Sequence, residues 1–260
     1  MNPFERVAIE AAHAGGAVLR RRFREPAALR VETKGLHDYV TEVDREAERA
    51  VIGVIRARFP DHGVLAEEGS GYERAPGWRW IVDPLDGTTN FIHGVGTFCV
   101  SVALEGPEGL VAGAVFDPLH EETFHAAVGA GARRNDASIA CSRPADLHDA
   151  LIATGFPFRE LTRLPSYLRA FERFVRSTSG IRRAGSAALD LVYTACGRYD
   201  GFWEIGLSPW DIAAGALIVR EAGGRATDVR GGCDFLKEGS ICAGGPTIHD
   251  AMLAITRELG

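Results

Sequence analysis

The chain has 260 residues, 46% hydrophobic and 25% charged, a balance that fits a globular protein with one large domain or two lobes sharing an interface. Its formal charge of −6 argues against a nucleic-acid scaffold, which needs a basic surface, but leaves a phosphate substrate open, because a bound cation can supply positive charge. Cys99, Cys141, Cys196, Cys233 and Cys242 are scattered without a Cys-x-x-Cys pair, which excludes a disulfide framework or zinc site, and with no membrane-length apolar run and no signal-peptide pattern the expected location is the cytoplasm.

Asn2 and Pro3 make a helix start, cap and first helical position. Phe4, Val7, Ala8, Ala11 and Ala14 to Val18 supply its apolar stripe, and the basic run Arg20 to Arg24 suits a solvated C-terminus. Thr41-Glu-Val-Asp44 fits a capping box opening a second helix with Val43, Ala47, Val51, Val54 and Ile55 inward, stopped at Phe59 to Gly63. Gly63 to Ala66 reads as a strand delivering Glu67 and Glu68. Trp80 to Val82 reads as another, ending in Asp83, with Pro84-Leu85-Asp86-Gly87 as a tight turn. Thr97 to Leu104 and Leu110 to Phe116 form a hairpin around Glu105 to Gly109. Gly129 to Pro144 reads as loops and marks a boundary between lobes of about 1–141 and 142–260. Beyond it strands at Leu151 to Thr154 and Gly201 to Glu204 alternate with helices at Leu164 to Val175, Gly185 to Cys196 and Trp210 to Ala222. Two more short strands and a helix from about Thr247 follow. This order favours a layered α/β protein.

Four acids fall where predicted elements begin or end: Glu67, Asp83, Asp86 and Asp211. Two carboxylates and a loop carbonyl converging on one point are hard oxygen ligands, the type Mg²⁺ takes. A plain Pro-Asp-Gly turn between strands accounts for the same residues. Two like charges about 4 Å apart repel by roughly 4 kcal/mol at an effective dielectric near 20, so crowded acids need cations or protons. No Arg or Lys lies between Asp83 and His93, which makes a divalent metal the simplest countercharge. Ser208-Pro209-Trp210-Asp211 is itself a good helix start, and on local grounds Asp211 reads first as a capping acid. Gly185-Ser186-Ala187 could bring backbone N–H groups to a ligand or serve close helix packing. Glu204, among Phe202, Trp203 and Ile205, fits a strand end facing a polar site. His93, His120 and His125 show no metal-ligand spacing and read as ordinary surface or loop residues, and no Gly-x-Ser-x-Gly elbow supports a serine hydrolase.

Three blocks, Glu67-Glu68, Asp83-Pro-Leu-Asp-Gly-Thr-Thr-Asn-Phe91, and Trp210-Asp211 followed by Ala214-Gly215 and Glu221-Ala-Gly-Gly224, stand in one order along the chain. Lys34 with Asp38-x-Val-Thr-x-x-Asp44 adds a fourth. Together they resemble the inositol monophosphatase family of Mg²⁺-dependent, lithium-sensitive phosphatases, its bacterial branch above all, through Arg182 to Leu191 and Asp200 to Glu204. The resemblance reverses the local preference for Asp211 as a cap alone. It implies a single domain over 1–260 in alternating layers of helices and sheets, an α-β-α-β-α sandwich of the sugar-phosphatase type. It implies metal ligands at Glu67, Asp83, the Leu85 carbonyl, Asp86 and Asp211, holding two Mg²⁺ ions, with a third, weaker one a family expectation. Thr88 and Glu67 match the residues that orient a metal-activated water for in-line attack on phosphorus, and Asp44 the acid bonded to that threonine. Substrate contacts are implied for Asp86, Gly87, Thr88, Gly185, Ser186, Ala187, Glu204 and Asp211, with Arg182 a further candidate. The implied substrate is a small phosphorylated polyol or sugar, first myo-inositol monophosphate. Related enzymes act on fructose 1,6-bisphosphate, 3′-phosphoadenosine 5′-phosphate or histidinol phosphate, and some bacterial relatives take a regulatory binding role. A homodimer is implied, and nucleic acid and membrane are not expected partners. Gly94-Val-Gly-Thr97 departs from the family pattern, where Pro and a bulky ring are common, and bears on substrate fit more than on catalysis.

Overall fold

The computed structural model describes residues 1–23, 31–35, 38–71, 77–158 and 160–259; the side chains of 31–35 and 38–40 lie outside the described residues, as does Arg24. Lys34 and Asp38 are therefore followed as backbone only. Helix α1 (Pro3–Phe23) starts where Asn2 Oδ1 accepts from Phe4 N at 2.9 Å. A hairpin of β1 (Val31–Gly35) and β2 (Asp38–Thr41) leads into α2 (Glu42–Arg58). There Thr41 Oγ1 accepts from Val43 N at 3.1 Å and Asp44 Oδ2 from Thr41 N at 2.9 Å, so the predicted capping box is present.

A seven-stranded sheet follows, built from β3 (Gly63–Ala66), β4 (Arg79–Asp86), β5 (Cys99–Gly106), β6 (Gly109–Asp117), β7 (Glu122–Ala127), β8 (Ala132–Arg134) and β9 (Ala137–Ser138) in that spatial order. Only the β3–β4 pair is parallel. The short α3 (Thr88–Ile92) sits between β4 and β5. Strands β8 and β9 lie inside the segment predicted as loops. They are three and two residues long, too short for an apolar alternation to mark them, and they form by pairing, β8 back onto β7 and β9 onto β8.

The second sheet has the order β11-β10-β12-β14-β13, from β10 (Leu151–Thr154), β11 (Gly180–Arg182), β12 (Gly201–Ile205), β13 (Arg225–Thr227) and β14 (Ser240–Gly244). Its helices are α4 (Leu164–Ser177), α5 (Ala187–Ala195), α6 (Pro209–Glu221), α7 (Phe235–Glu238) and α8 (Pro246–Thr256). Helices α1 and α2 cover one face of the large sheet, α5 and α6 fill the space between the sheets, and α4 and α8 cover the far face of the small sheet. The result is the expected α-β-α-β-α stack. No helix among the described residues is long and apolar enough to cross a membrane.

Strand alternation divides the cores. On β4, Trp80 and Val82 face α1 and α2 while Ile81 faces the layer between the sheets; on β12, Phe202 faces that layer and Trp203 faces Tyr167 and Phe174 of α4. Sheets buried on both faces explain why these strands read as unbroken apolar runs. The middle layer is tightest where α5 meets α6: a Cβ on Gly215 would stand 2.5 Å from Leu191 Cβ. Gly215→Ala is therefore expected to lower stability by about 1–3 kcal/mol, read as a shifted urea midpoint at unchanged slope. An unchanged midpoint would show that the two helices have room to spare.

Candidate active site

Pro84 does not make a turn. Strand β4 runs through it to Asp86, and the tight turn expected at Pro84 to Gly87 is instead a β-bulge. Asp83 pairs with Ser101 and Asp86 with Cys99, so three steps on β4 match two on β5. A proline donates nothing to a ladder, which suits it to this position. In a regular strand residues 83 and 86 would point to opposite faces; the extra residue turns Asp86 toward the side of Asp83. Leu85 N donates to Asp83 Oδ1 at 2.9 Å inside the bulge. Gly87 then starts α3 at φ 100, where a Cβ would stand 2.8 Å from the Thr97 carbonyl oxygen.

The distant acids arrive through pairings. Parallel β3–β4 register sets Ala66 beside Val82, and Glu67 N donates to Val82 O at 3.3 Å, which leaves Glu67 beside Asp83. Ser101, opposite Asp83, donates to the Trp210 carbonyl at 3.2 Å and so docks the N-terminus of α6. Asp211 follows at once, and its Oδ2 accepts from Ser208 N at 2.7 Å, so it caps the helix and faces the site together. Carboxylate oxygens of Asp83, Asp86 and Asp211 lie within 4.8 Å of one another. This donor set, all hard oxygen with the Leu85 carbonyl and Glu67 nearby, fits a divalent cation.

Around the acids, Thr88 Oγ1 lies 3.1 Å from Asp44 Oδ1 and 3.0 Å from the Leu85 carbonyl oxygen. Asp86 Oδ2 accepts from Ser186 Oγ and from Ala188 N, each at 2.7 Å, so the start of α5 grips a carboxylate of the protein itself. Asn90 Nδ2 donates to the Thr97 and Ala184 carbonyls at 2.7 and 2.9 Å and ties the loop before α5 to the bulge. Glu67, Asp83, Leu85, Asp86, Thr88, Ser186 and Asp211 line a cavity of about 330 Å³ that also includes Gly185, Ala187, Glu204 and His93. Gly155 makes room for Glu204: a Cβ there would stand 1.9 Å from Glu204 Oε1.

Arg182 does not reach the cavity. It is exposed, and its Nη1 donates to the neighbouring Ile181 carbonyl at 3.1 Å; Arg183, one residue on, lines the cavity instead. Arg182 ends β11, and neighbouring side chains leave a strand on opposite sides. Of the histidines, His125 is interior, with Nδ1 2.7 Å from Glu5 Oε1, against the expectation of a surface residue. Glu48 was not foreseen. Fully buried on α2, it accepts from Glu68 N at 2.8 Å and Ser70 N at 3.0 Å, and so holds the turn that carries Glu67. The available signal was an acid on the inward stripe of Val43, Ala47 and Val51, one turn after Asp44.

The model of the inositol monophosphatase family matches residues 1–260. The chain belongs to that family. Nus factor SuhB of Pseudomonas aeruginosa is 45% identical over 258 residues, covering 97% of this chain and 95% of that protein. The extragenic suppressor protein suhB of Bartonella henselae superposes with a TM-score of 0.94 at 43% identity, covering 97% of each chain. Inositol monophosphatase from Anabaena (Nostoc) sp. superposes with a TM-score of 0.86 at 38% identity, covering 97% of this chain and 94% of that one. Family membership makes the chain a metal-dependent phosphatase, with an acidic group at Asp83, Asp86 and Asp211 that could hold the ion.

Electrostatics in this phosphatase follow from crowding. Burial, and then the charges of Glu67, Asp86 and Asp211, hold the Asp83 carboxyl well above the usual carboxylate range. Burial also raises Asp86, against the hydrogen bonds from Ser186, Ala188 and Ala187, and it raises Asp44. A folded value above the unfolded one means that folding takes up a proton. The Asp83 contribution is then fully present below about pH 4 and is lost as pH rises through the folded value. In chelator, the melting temperature of Asp83→Asn relative to wild type should climb as pH rises from about 5 to about 8, and Mg²⁺ should raise the wild type more than the variant. A difference that stays flat with pH would remove the argument. Glu48→Ala should cut activity by at least about tenfold by freeing the Glu67 turn, with hydrogen exchange at Glu68 and Ser70 amides accelerated; slow exchange at both would contradict the positioning role.

Proposed function

We propose that this chain is a Mg²⁺-dependent phosphomonoesterase that hydrolyses myo-inositol monophosphate to inositol and phosphate. The observation that carries the reading is the convergence of Asp83, Asp86 and Asp211 beside the Thr88–Asp44 pair, with Glu67 at one side and Glu204 on the cavity wall. Glu67, Asp83 and the Leu85 carbonyl would hold one cation, and Asp83, Asp86 and Asp211 a second. When bound, the cations supply Lewis acidity and offset the charge of the phosphate and of the leaving oxygen.

The chain's own residues do the rest. Thr88 donates its hydroxyl hydrogen bond to Asp44 or to the Leu85 carbonyl, both within 3.1 Å, which leaves its oxygen lone pairs to accept from a water. Glu67 offers a carboxylate for the same water. The water attacks phosphorus opposite the ester oxygen and gives up a proton, the bond from phosphorus to that oxygen breaks, and the leaving polyol oxygen takes up a proton, so that one water is consumed per phosphate released. Glu204 provides acceptors for hydroxyl groups of a polyol, which suits a substrate rich in donors and poor in charge. A cytoplasmic homodimer belongs to the same reading.

The name Nus factor carried by a relative that is 45% identical favours a second reading, a regulatory binding role alongside catalysis. The two separate cleanly, because removal of a metal ligand should stop hydrolysis and spare a binding surface elsewhere.

Asp83→Asn is expected to reduce Mg²⁺-dependent phosphate release by at least about a thousandfold while circular dichroism stays native. Release at the wild-type rate would show that the metal ligands are misassigned. Among inositol 1-phosphate, fructose 1,6-bisphosphate, 3′-phosphoadenosine 5′-phosphate and histidinol phosphate, the first should lead in kcat/KM. Were it to rank clearly last, the inositol assignment would fall.

A further inference from the structure

The cavity is lined by six acids, Glu67, Asp83, Asp86, Glu160, Glu204 and Asp211, and among its described lining residues Arg183 is the one permanent cation. Its guanidinium is not held by a carboxylate. Its Cζ lies 5.7 Å from the ring centre of Phe156 and 5.3 Å from that of Phe158, and it makes no hydrogen bond or ion pair among the described residues. The two rings stand edge to face at 5.6 Å and give this exposed guanidinium an apolar seat. Glu160, on the same wall, faces Arg163 at 3.7 Å instead.

An arginine in an acid-lined cavity would ordinarily serve as countercharge. Arg183 does not do so by direct contact: the bonds to Asp86 Oδ2 come from Ser186 Oγ and Ala188 N, each at 2.7 Å. Aromatic faces fix the plane of a guanidinium without consuming its N–H donors. Five donors in a fixed fork match a planar carboxylate or a phosphate, and a neutral hydroxyl uses them poorly.

Resting on the phosphatase reading, we infer that Arg183 is a specificity-determining residue that receives a second anionic group of the substrate, a carboxylate or another phosphate, on the wall formed by Phe156 and Phe158. The phosphatase then accepts, beside neutral polyol phosphates, phosphomonoesters carrying a further negative charge.

The test uses two matched substrate pairs with Mg²⁺ present: 2-phosphoglycerate against glycerol 2-phosphate, and fructose 1,6-bisphosphate against fructose 1-phosphate. For each pair the ratio of kcat/KM, anionic over neutral member, is measured in wild type, Arg183→Gln and Arg183→Lys. In Arg183→Gln the ratio is expected to fall by at least about tenfold, through KM, and to lose its dependence on ionic strength. Arg183→Lys, which keeps the charge and loses the planar fork, should fall between. A fall in the first pair alone identifies carboxylate as the second group, and a fall in the second pair alone identifies phosphate. Ratios unmoved in both variants, whatever the absolute rates, overturn the inference and leave Arg183 as countercharge or packing. No phosphate release by wild type from any of the four would instead overturn the phosphatase reading itself.

Discussion

Three aspartate carboxylates within 4.8 Å of one another, one of them almost fully buried, are the constraint around which the molecule is arranged. At an effective dielectric near 20, each such pair repels by roughly 4 kcal/mol. The fold answers with donors from different layers. Leu85 N serves Asp83, Ser186 and Ala188 serve Asp86, and Ser208 N serves Asp211. These bonds orient the carboxylates without neutralising them. The negative charge that remains is what a bound cation would offset.

Placing those donors is the work of the layer between the sheets. Both α5 and α6 point their N-termini at the bulge, and their close contact at Gly215 and Leu191 lets the two carboxylate-holding ends share one cavity. From the outer layer, α2 sends Asp44 to Thr88 and Glu48 to the turn after Glu67. The candidate site is therefore assembled from three layers, held together by these helices. Phe91 of the motif, packed against Phe23 and Phe98, anchors α3 in the same way.

What was legible in the residues was mostly local. The capping box at Thr41 and Asp44 forms from neighbours in sequence, so it could be read directly. The β5–β6 hairpin was marked by its Gly-Pro-Glu-Gly turn. The bulge was not legible, because Pro84-Leu85-Asp86-Gly87 is a good turn on local grounds and only the register with β5 makes it part of a strand. Arg183 was missed in favour of Arg182 for a related reason. Which of two adjacent arginines enters a cavity depends on strand phase, and β11 is three residues long. Glu48 was hidden by its ordinary appearance on a helix with many charges. Its importance comes from two amides that its own segment does not supply.

By itself the sequence determined the inventory: the hard oxygen ligands, the threonine, the capped helices, the apolar runs that must be buried on both faces, and an order of motifs specific enough to imply the family. Only the tertiary structure decided which of these groups meet. Glu67 reaches Asp83 through a parallel strand register, and Asp211 reaches it because α6 packs on the large sheet, with Ser101 bonded to the Trp210 carbonyl. Such contacts close long loops, and they hold because whole faces of sheet and helix are buried with them. No local pattern records them. The same carboxylates that look like a turn and a cap in the chain become one site once burial leaves them nowhere else to point.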